Sequence, residues 1–312
     1  MLGFAPLLLA EQNFSSFLAL ADHLNLRLST TPGHISPPGP RCVALGLEYD
    51  LEENTVSLPS AKLTDLVELL TSWLDRRRAS ERELASLAGK LLQACGVIFA
   101  GRLFLNRILA SKRRASRFSQ PIYLDSAFRD DVEWWIEALG ARNGVSFLVH
   151  KSTSFITLDA STNGWFGGDP GIGAYNQYLN EFISVSPPPH LHQLHISDLE
   201  LLAHVLVARV WGPQMAEQHV TVHTDNAACF WLVSNGRSAW DNRLRLARIY
   251  AMSQIHDGYR AEPAWISTSD NWLADAYSRP ADSKSQRIMA DFVNESGASP
   301  KRRHVSPEMF NF

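Results

Sequence analysis

Apolar residues at Phe14, Phe17, Leu18, Leu20, Ala21 and Leu24 recur at helical spacing, so the chain is expected to begin with a helix over 12–28. Gly and Pro crowd residues 30–40, which must be a loop. Short apolar runs at 43–49 and 54–58 flank an acidic turn at 50–54 and predict a β-hairpin. Pro59 and Ser60 open a helix over 61–75. Ser80 and Glu83 have capping-box spacing, and Leu84, Leu87, Leu91, Cys95 and Ile98 step by 3 or 4 behind them. A further helix is expected over 125–139, with Trp134 and Trp135 in the core.

The pattern changes near residue 150. A strand over 154–158 runs into Asp159-Ala160-Ser161, and after a Gly-rich stretch come strands over 172–177 and 178–185. A helix over 198–211 presents Leu199, Leu202, Ala203, Leu206 and Val210 on one face. A strand over 220–223 runs into Thr224-Asp225-Asn226. Helices over 226–234 and 240–257, a strand over 261–266 and a short helix over 272–277 follow. The order β-β-β-α-β-α-α-β-α, five strands among helices, predicts an α/β (α+β) domain over 151–281. A mostly helical region (1–118) and a connection (119–150) precede it, and 282–312 is expected to be a mobile polar tail.

Composition sharpens this outline. The 312 residues are 45% hydrophobic and 20% charged, enough for two domains without staples. No apolar run approaches the roughly 18 residues of a membrane span. Residues 2–10 lack a basic flank and contain Pro6, unlike a signal peptide. Cys42, Cys95 and Cys229 are scattered and odd in number, which excludes a disulfide framework and points to a reducing, intracellular compartment, cytoplasmic or nuclear. Charge is uneven. Residues 72–118 hold eleven Lys/Arg against three acids, so this segment is +8 while the remainder is −11 within a total of −3. A basic block with clusters at Arg76, Arg77, Arg78 and at Lys112, Arg113, Arg114, Arg117 suits a polyanion, although a solvated helical surface explains it equally well.

Four acids occupy informative places: Asp159 at a strand end, Glu200 inside a helix, Asp225 at another strand end, and Asp275 in the last short helix. If the two strands are neighbours, both aspartates leave one sheet edge. Several carboxylates that close together stay ionised only when a cation joins them. Hard oxygen ligands in such number suit Mg²⁺, and two ions about 3.5–4 Å apart can activate water and stabilise a leaving oxygen in phosphodiester cleavage. Each acid also has an ordinary explanation. Asp159 suits a turn, Glu200 a capping box with Ser197, Asp225 an N-cap, and Asp275 the positive end of a helix dipole. His190, His192 and His195 beside three prolines suit a surface loop better than a metal tract, and Trp165 is expected in the core.

The motifs Leu158-Asp159-Ala160-Ser161 with Gly164-Trp165, Asp198-Leu199-Glu200-Leu201-Leu202-Ala203, His223-Thr224-Asp225-Asn226-Ala227, and Asn271 through Arg279 resemble, in order, the ribonuclease H domain of retroelement polyproteins. Segments 44–63, Leu87-Ala88-Gly89-Lys90-Leu91 and Ala100-Gly101-Arg102 look like the end of a reverse transcriptase palm leading into its thumb. The whole is most similar to DIRS-type retrotransposons over about residues 12–280. The resemblance implies an RNase H-like fold, a five-stranded mixed sheet flanked by helices, and cleavage of RNA in RNA–DNA hybrids. Asp159, Glu200, Asp225 and Asp275 would be catalytic acids and ligands of two Mg²⁺, with Mn²⁺ able to substitute. It further implies that Asn226 reaches the substrate backbone and that the basic thumb tracks the duplex. The family's Tyr-x-Asp-Asp motif is absent, so polymerase activity is not expected and the chain reads as truncated, either expressed alone or cut from a longer retroelement polyprotein. A His common in the loop before the last Asp is replaced by Ser267-Thr268-Ser269-Asp270, and His256 is not assigned that role. The alternatives are a decayed, nucleic-acid-binding transposon remnant, or another nuclease of this fold such as a resolvase or exonuclease.

Overall fold

The computed structural model describes residues 7–29, 35, 37–147, 152, 154–238 and 240–312. Expectations for 1–6, for 30–34 and 36 of the Gly/Pro loop, for 148–151 and 153, and for 239 lie outside the described residues. The chain divides into Met1–Gly101 with Arg107–Val149, and Arg102–Asn106 with His150–Phe312.

In the first unit, α1 (Leu7–His23) ends earlier than its apolar spacing suggested, because Asn25 turns left-handed at φ 50. The apolar run at 43–49 is two strands, β1 (Arg41–Ala44) and β2 (Leu47–Asp50). They are joined at Leu45 and Gly46, both with positive φ (51 and 78), the backbone of a tight hairpin turn. Leu45 hid this turn, being a poor turn residue that here stands 90% exposed. Across the acidic turn, β3 (Thr55–Ser57) pairs with β2. The expected hairpin is therefore part of a four-stranded sheet, completed by a strand from the end of the unit.

Next come α2 (Ser60–Leu74), β4 (Arg78–Ala79) and α3 (Glu81–Ala94), the last with both halves of the Ser80–Glu83 capping box formed. Cys95 ends α3, so Ile98 lies beyond the helix. The basic run 112–117 lies on α4 (Gly101–Phe118), a helix the apolar pattern did not announce. Ile108 and Ala115 are buried while Arg113, Arg114 and Arg117 are exposed. Then follow β5 (Ile122–Tyr123), paired with β4, and α5 (Ser126–Ala141), N-capped by Asp125. β6 (Val145–Ser146) joins β3 and gives the order β1-β2-β3-β6. Trp134 and Trp135 are core residues, edge to face at 5.4 Å.

The second unit contains β7 (Ser154–Ser161), β8 (Gly171–Asn176), β9 (Glu181–Val185), α6 (Ile196–Trp211), β10 (His219–Thr224), α7 (Ala227–Asn235), α8 (Asp241–Asp257), β11 (Arg260–Trp265), α9 (Trp272–Ser278), α10 (Ser283–Ser296) and β12 (Lys301–Arg302). Its sheet runs β11-β10-β7-β8-β9-β12, with β10 parallel to both β11 and β7, and β8 antiparallel to β7 and β9. It is a mixed α/β fold with helices flanking a mixed sheet. α6 is buried along nearly its whole length against β7, β8 and α8. Trp165, expected in the core, is half-buried.

Residues 282–312 are not a mobile tail. Asp282 caps α10, Lys301–Arg302 pairs in parallel with β9 as a sixth strand, and Phe310 is 3% exposed. Polar composition concealed an amphipathic helix and a few anchoring contacts. Among these, Arg209 donates to the carbonyls of Met309 (2.7 Å) and Asn311 (3.0 Å).

Alternation on β7 puts Ile156, Leu158 and Ala160 on one face and Asp159 and Ser161 on the other. Gly173 and Gly171 stand opposite Asp159 and Ser161 across the β7–β8 ladder, so these four share a face. α9 lies on β7 and β8, and a Cβ on Gly173 would collide with the carbonyl of Ala274 and the amide of Ser278. Gly173→Ala is therefore expected to destabilise the protein by about 3 kcal/mol, read as a lower urea midpoint. An unchanged midpoint would mean that α9 is not seated this closely.

Candidate metal centre

Asp159 lies inside β7 rather than at its end, because the strand continues to Ser161 through pairing with Gly171. The parallel register sets His223 against Thr157, and continuing it places Asp225, just beyond β10, level with Asp159. Glu200 comes from α6. Ligand oxygens of Asp159, Glu200 and Asp225 lie within 4.8 Å of one another, with Asp159 and Glu200 each 4% exposed. Among the described residues this is the one group of three or more possible metal ligands.

Two ordinary explanations for these acids fail on hydrogen bonds. His195, not Ser197, is the N-cap of α6, so Glu200 completes no capping box. Asn226, not Asp225, caps α7, its Oδ1 accepting from the Cys229 amide at 3.1 Å. Asp198, the other acid near the start of α6, accepts from Arg243 at 2.7 Å. Asp275 does not join the group of three; its carboxylate pairs with Arg279 at 3.0 Å.

Burial makes the cluster costly. It pushes the Asp159 carboxyl up to about 7, against the lowering effect of the Ser278 hydroxyl and with help from Asp275 and Asp225. Burial, followed by the charges of Asp159 and Asp225, holds Glu200 well above the usual carboxylate range. Glu200 Oε2 is buried without a hydrogen-bond partner. His204, one turn along α6, adds no charge, since burial pushes it down to about 4.

Two residues near the acids had no role assigned from sequence. Asn271, 1% exposed, donates to the Leu158 carbonyl at 2.9 Å and stands 3.5 Å from Asp225 Oδ1. Ser278, fully buried, donates to Asp159 Oδ2 at 2.6 Å. Their placement at the two ends of one short helix was visible in the sequence; their bonds to other elements were not.

The remaining expected residues scatter. Arg76 is held by Glu83 at 2.8 Å and lies over Trp73, and Arg78 lies over Tyr123, so Arg77 alone of that cluster stands away from these pairings. Lys112 is half-buried on α4 beside the exposed Arg113, Arg114 and Arg117. The histidines do not converge: His192 Nε2 bonds the Pro187 carbonyl, His195 caps α6 and His190 is exposed. In the loop before α9, Ser267 donates to Asp270. No helix among the described residues is long and apolar enough to cross a membrane.

No family model and no curated protein matches the chain. Matching solved structures include ribonucleases H and reverse transcriptases. RNase H1 from Halobacterium salinarum NRC-1 is 12% identical with a TM-score of 0.32, over 41% of this chain and 96% of that one. LC11-RNase H1, isolated from compost, is 14% identical with a TM-score of 0.34, over 44% and 99%. The foamy viral protease-reverse transcriptase in complex with RNA/DNA hybrid is 14% identical with a TM-score of 0.31, over 73% of this chain and 29% of that one.

The raised carboxyls link stability to pH. An acid that keeps its proton longer when folded contributes stability that is full below the unfolded pKa and lost as pH rises through the folded value. For Asp159 that window runs from 3.8 to about 7. His204 acts oppositely, losing stability as pH falls from 6.5 towards 4, so the useful quantity is a difference between variants sharing that histidine. In chelator, Asp159→Asn is expected to melt above the parent near pH 8, with the gap closing towards about pH 5. Scanning fluorimetry at both values checks this, and an equal gap would show that Asp159 ionises as it does in the unfolded chain.

Proposed function

We propose that the second unit is a metal-dependent endonuclease of the ribonuclease H type found in DIRS-type retroelements, hydrolysing the RNA strand of RNA–DNA hybrids. The observation that carries this reading is the gathering of Asp159 and Glu200, both buried, and the half-buried Asp225 within 4.8 Å. The donor set fits the cation. Three hard carboxylates suit Mg²⁺ or Mn²⁺, and the unpartnered Glu200 Oε2 is a polar atom that the protein itself leaves unsatisfied.

When bound, two divalent ions supply Lewis-acid and water-activating chemistry for phosphodiester hydrolysis. Asp159, inside β7, and Asp225, just beyond β10, would hold them, Glu200 would orient the attacking water, and Asp275, tethered by Arg279, would be the fourth carboxylate. Asn226 contacts the substrate backbone beside Asp225. Lys112, Arg113, Arg114 and Arg117, with Arg76, Arg77 and Arg78 in a lesser part, neutralise phosphates without reading sequence. Polymerase activity is no part of this reading, because the sequence contains no Tyr-x-Asp-Asp motif.

Glu200→Gln keeps the side chain's shape and removes its charge. Cleavage of a labelled hybrid in Mg²⁺ is expected to fall at least about 100-fold in single-turnover assays, roughly 2.7 kcal/mol of transition-state stabilisation. Asp198→Asn, on the acid tied to Arg243, is expected to cost less than about tenfold. Normal cleavage by Glu200→Gln, or equal cleavage in chelator, overturns the metal mechanism.

Reversing Arg113, Arg114 and Arg117 to Glu is expected to weaken binding of any duplex. The salt dependence should flatten by about 0.9 in log–log slope for each phosphate that the variant no longer neutralises. An unchanged slope would make the exposed face of α4 a solvated surface only.

A further inference from the structure

α9 has seven residues and is fastened at both ends to the elements that carry the acids. Asn271 at its start ties it to the Leu158 carbonyl of β7. Ser278 at its end places Oγ 2.6 Å from Asp159 Oδ2 and 2.9 Å from the Asp275 carbonyl. A serine bonded to a carbonyl three residues back is ordinary helix chemistry. The bond to Asp159, 119 residues away in sequence, is not. The hydroxyl has one proton, and Asp159 Oδ2 at 2.6 Å is a nearer acceptor than the Asp275 carbonyl at 2.9 Å.

The Ser278 backbone is fixed as well. Ser161 donates to its carbonyl at 2.9 Å, and Gly171 leaves no Cβ in the way of that carbonyl. Side chain and main chain are thus gripped by β7 and β8, the strand that carries Asp159 and its neighbour, and the residue is fully buried. This is more constraint than closing one helical turn requires.

We propose that Ser278 is the positioning residue of Asp159. Its hydroxyl commits one carboxylate oxygen to the protein and leaves the other to serve a divalent cation, so the site is preset before any cation arrives. The inference rests on the metal reading given above. Outer-shell hydrogen bonds of this kind fix the rotamer of a ligand and so govern how well it binds.

The test is Mn²⁺ binding to the full chain, read as loss of the free Mn²⁺ signal in electron paramagnetic resonance, with a melt in chelator beside each titration. Ser278→Ala is expected to raise the Mn²⁺ Kd about 10- to 100-fold with little change in melting, and Ser278→Thr, which keeps the hydroxyl, to return it to within about threefold of the parent. Parent-like binding by Ser278→Ala, with binding lost in Asp159→Asn, would show that the serine only closes the helix. Parent-like binding by Asp159→Asn would instead defeat the metal reading itself, and the inference with it. If threonine proves too large and lowers the melt, Ser278→Cys fills the volume with a weak donor. It is expected to bind Mn²⁺ like the alanine variant, and parent-like binding by the cysteine variant would assign the effect to packing instead of the hydrogen bond.

Discussion

Like charges repel, and a buried site offers little water to screen them. Three carboxylates within 4.8 Å in such a place are the constraint around which the second unit is arranged. Without a cation the protein compensates in two ways. Protons stay on Asp159 and Glu200 well above the ordinary range, and donors are brought in from outside the strands. Arg279 adds a positive charge that draws both buried acids back down while pairing with Asp275. One oxygen of Glu200 remains unanswered by any of this.

The route from chain to cluster runs through glycine. Gly173 faces Asp159 across the ladder, and its missing side chain allows α9 to lie with its main chain against the sheet. That proximity brings Asn271 and Ser278 to the aspartates. A larger residue would still permit the sheet, the alternation and the helix; it would remove the approach that lets one short helix serve two strands at once. Packing geometry and site electrostatics are here the same piece of structure.

Much of the second unit was legible because its signals are local and repeated: alternation in β7 and β10, helix period in α6, and turn residues between them. The convergence of Asp159, Glu200 and Asp225 was expected only on condition that their two strands are neighbours, a pairing that β7 and β10 make. What escaped reading depends on partners distant in sequence or on single dihedrals. That His195 and not Ser197 caps α6 is a choice between hydrogen bonds, invisible in residue types. α4 has an apolar face of Leu103, Phe104, Ile108 and Ala115, but from Lys112 to Arg117 basic residues outnumber apolar ones and blur its period. Leu45 adopts a left-handed backbone that leucine rarely takes, so a turn lay hidden in an apolar run. Asp275 is outside the group of three and pairs with Arg279, four residues on, a contact that residue types alone do not show.

The sixth strand has a consequence for solubility. β9 would otherwise be the margin of the sheet, with a row of peptide groups free to recruit another chain. Lys301 and Arg302 occupy that margin with two charged residues. Arg302 reaches on to the Ser184 carbonyl, and Arg303 pairs with Glu181 at 3.3 Å. The segment is thus a selvedge: it adds almost nothing to the hydrophobic interior, yet it finishes an edge that would otherwise fray into intermolecular pairing. A version of the chain ending near residue 281 would keep all four acids but lose the packing of α10 on α9, the buried Phe310 and the charged cover on the β9 edge.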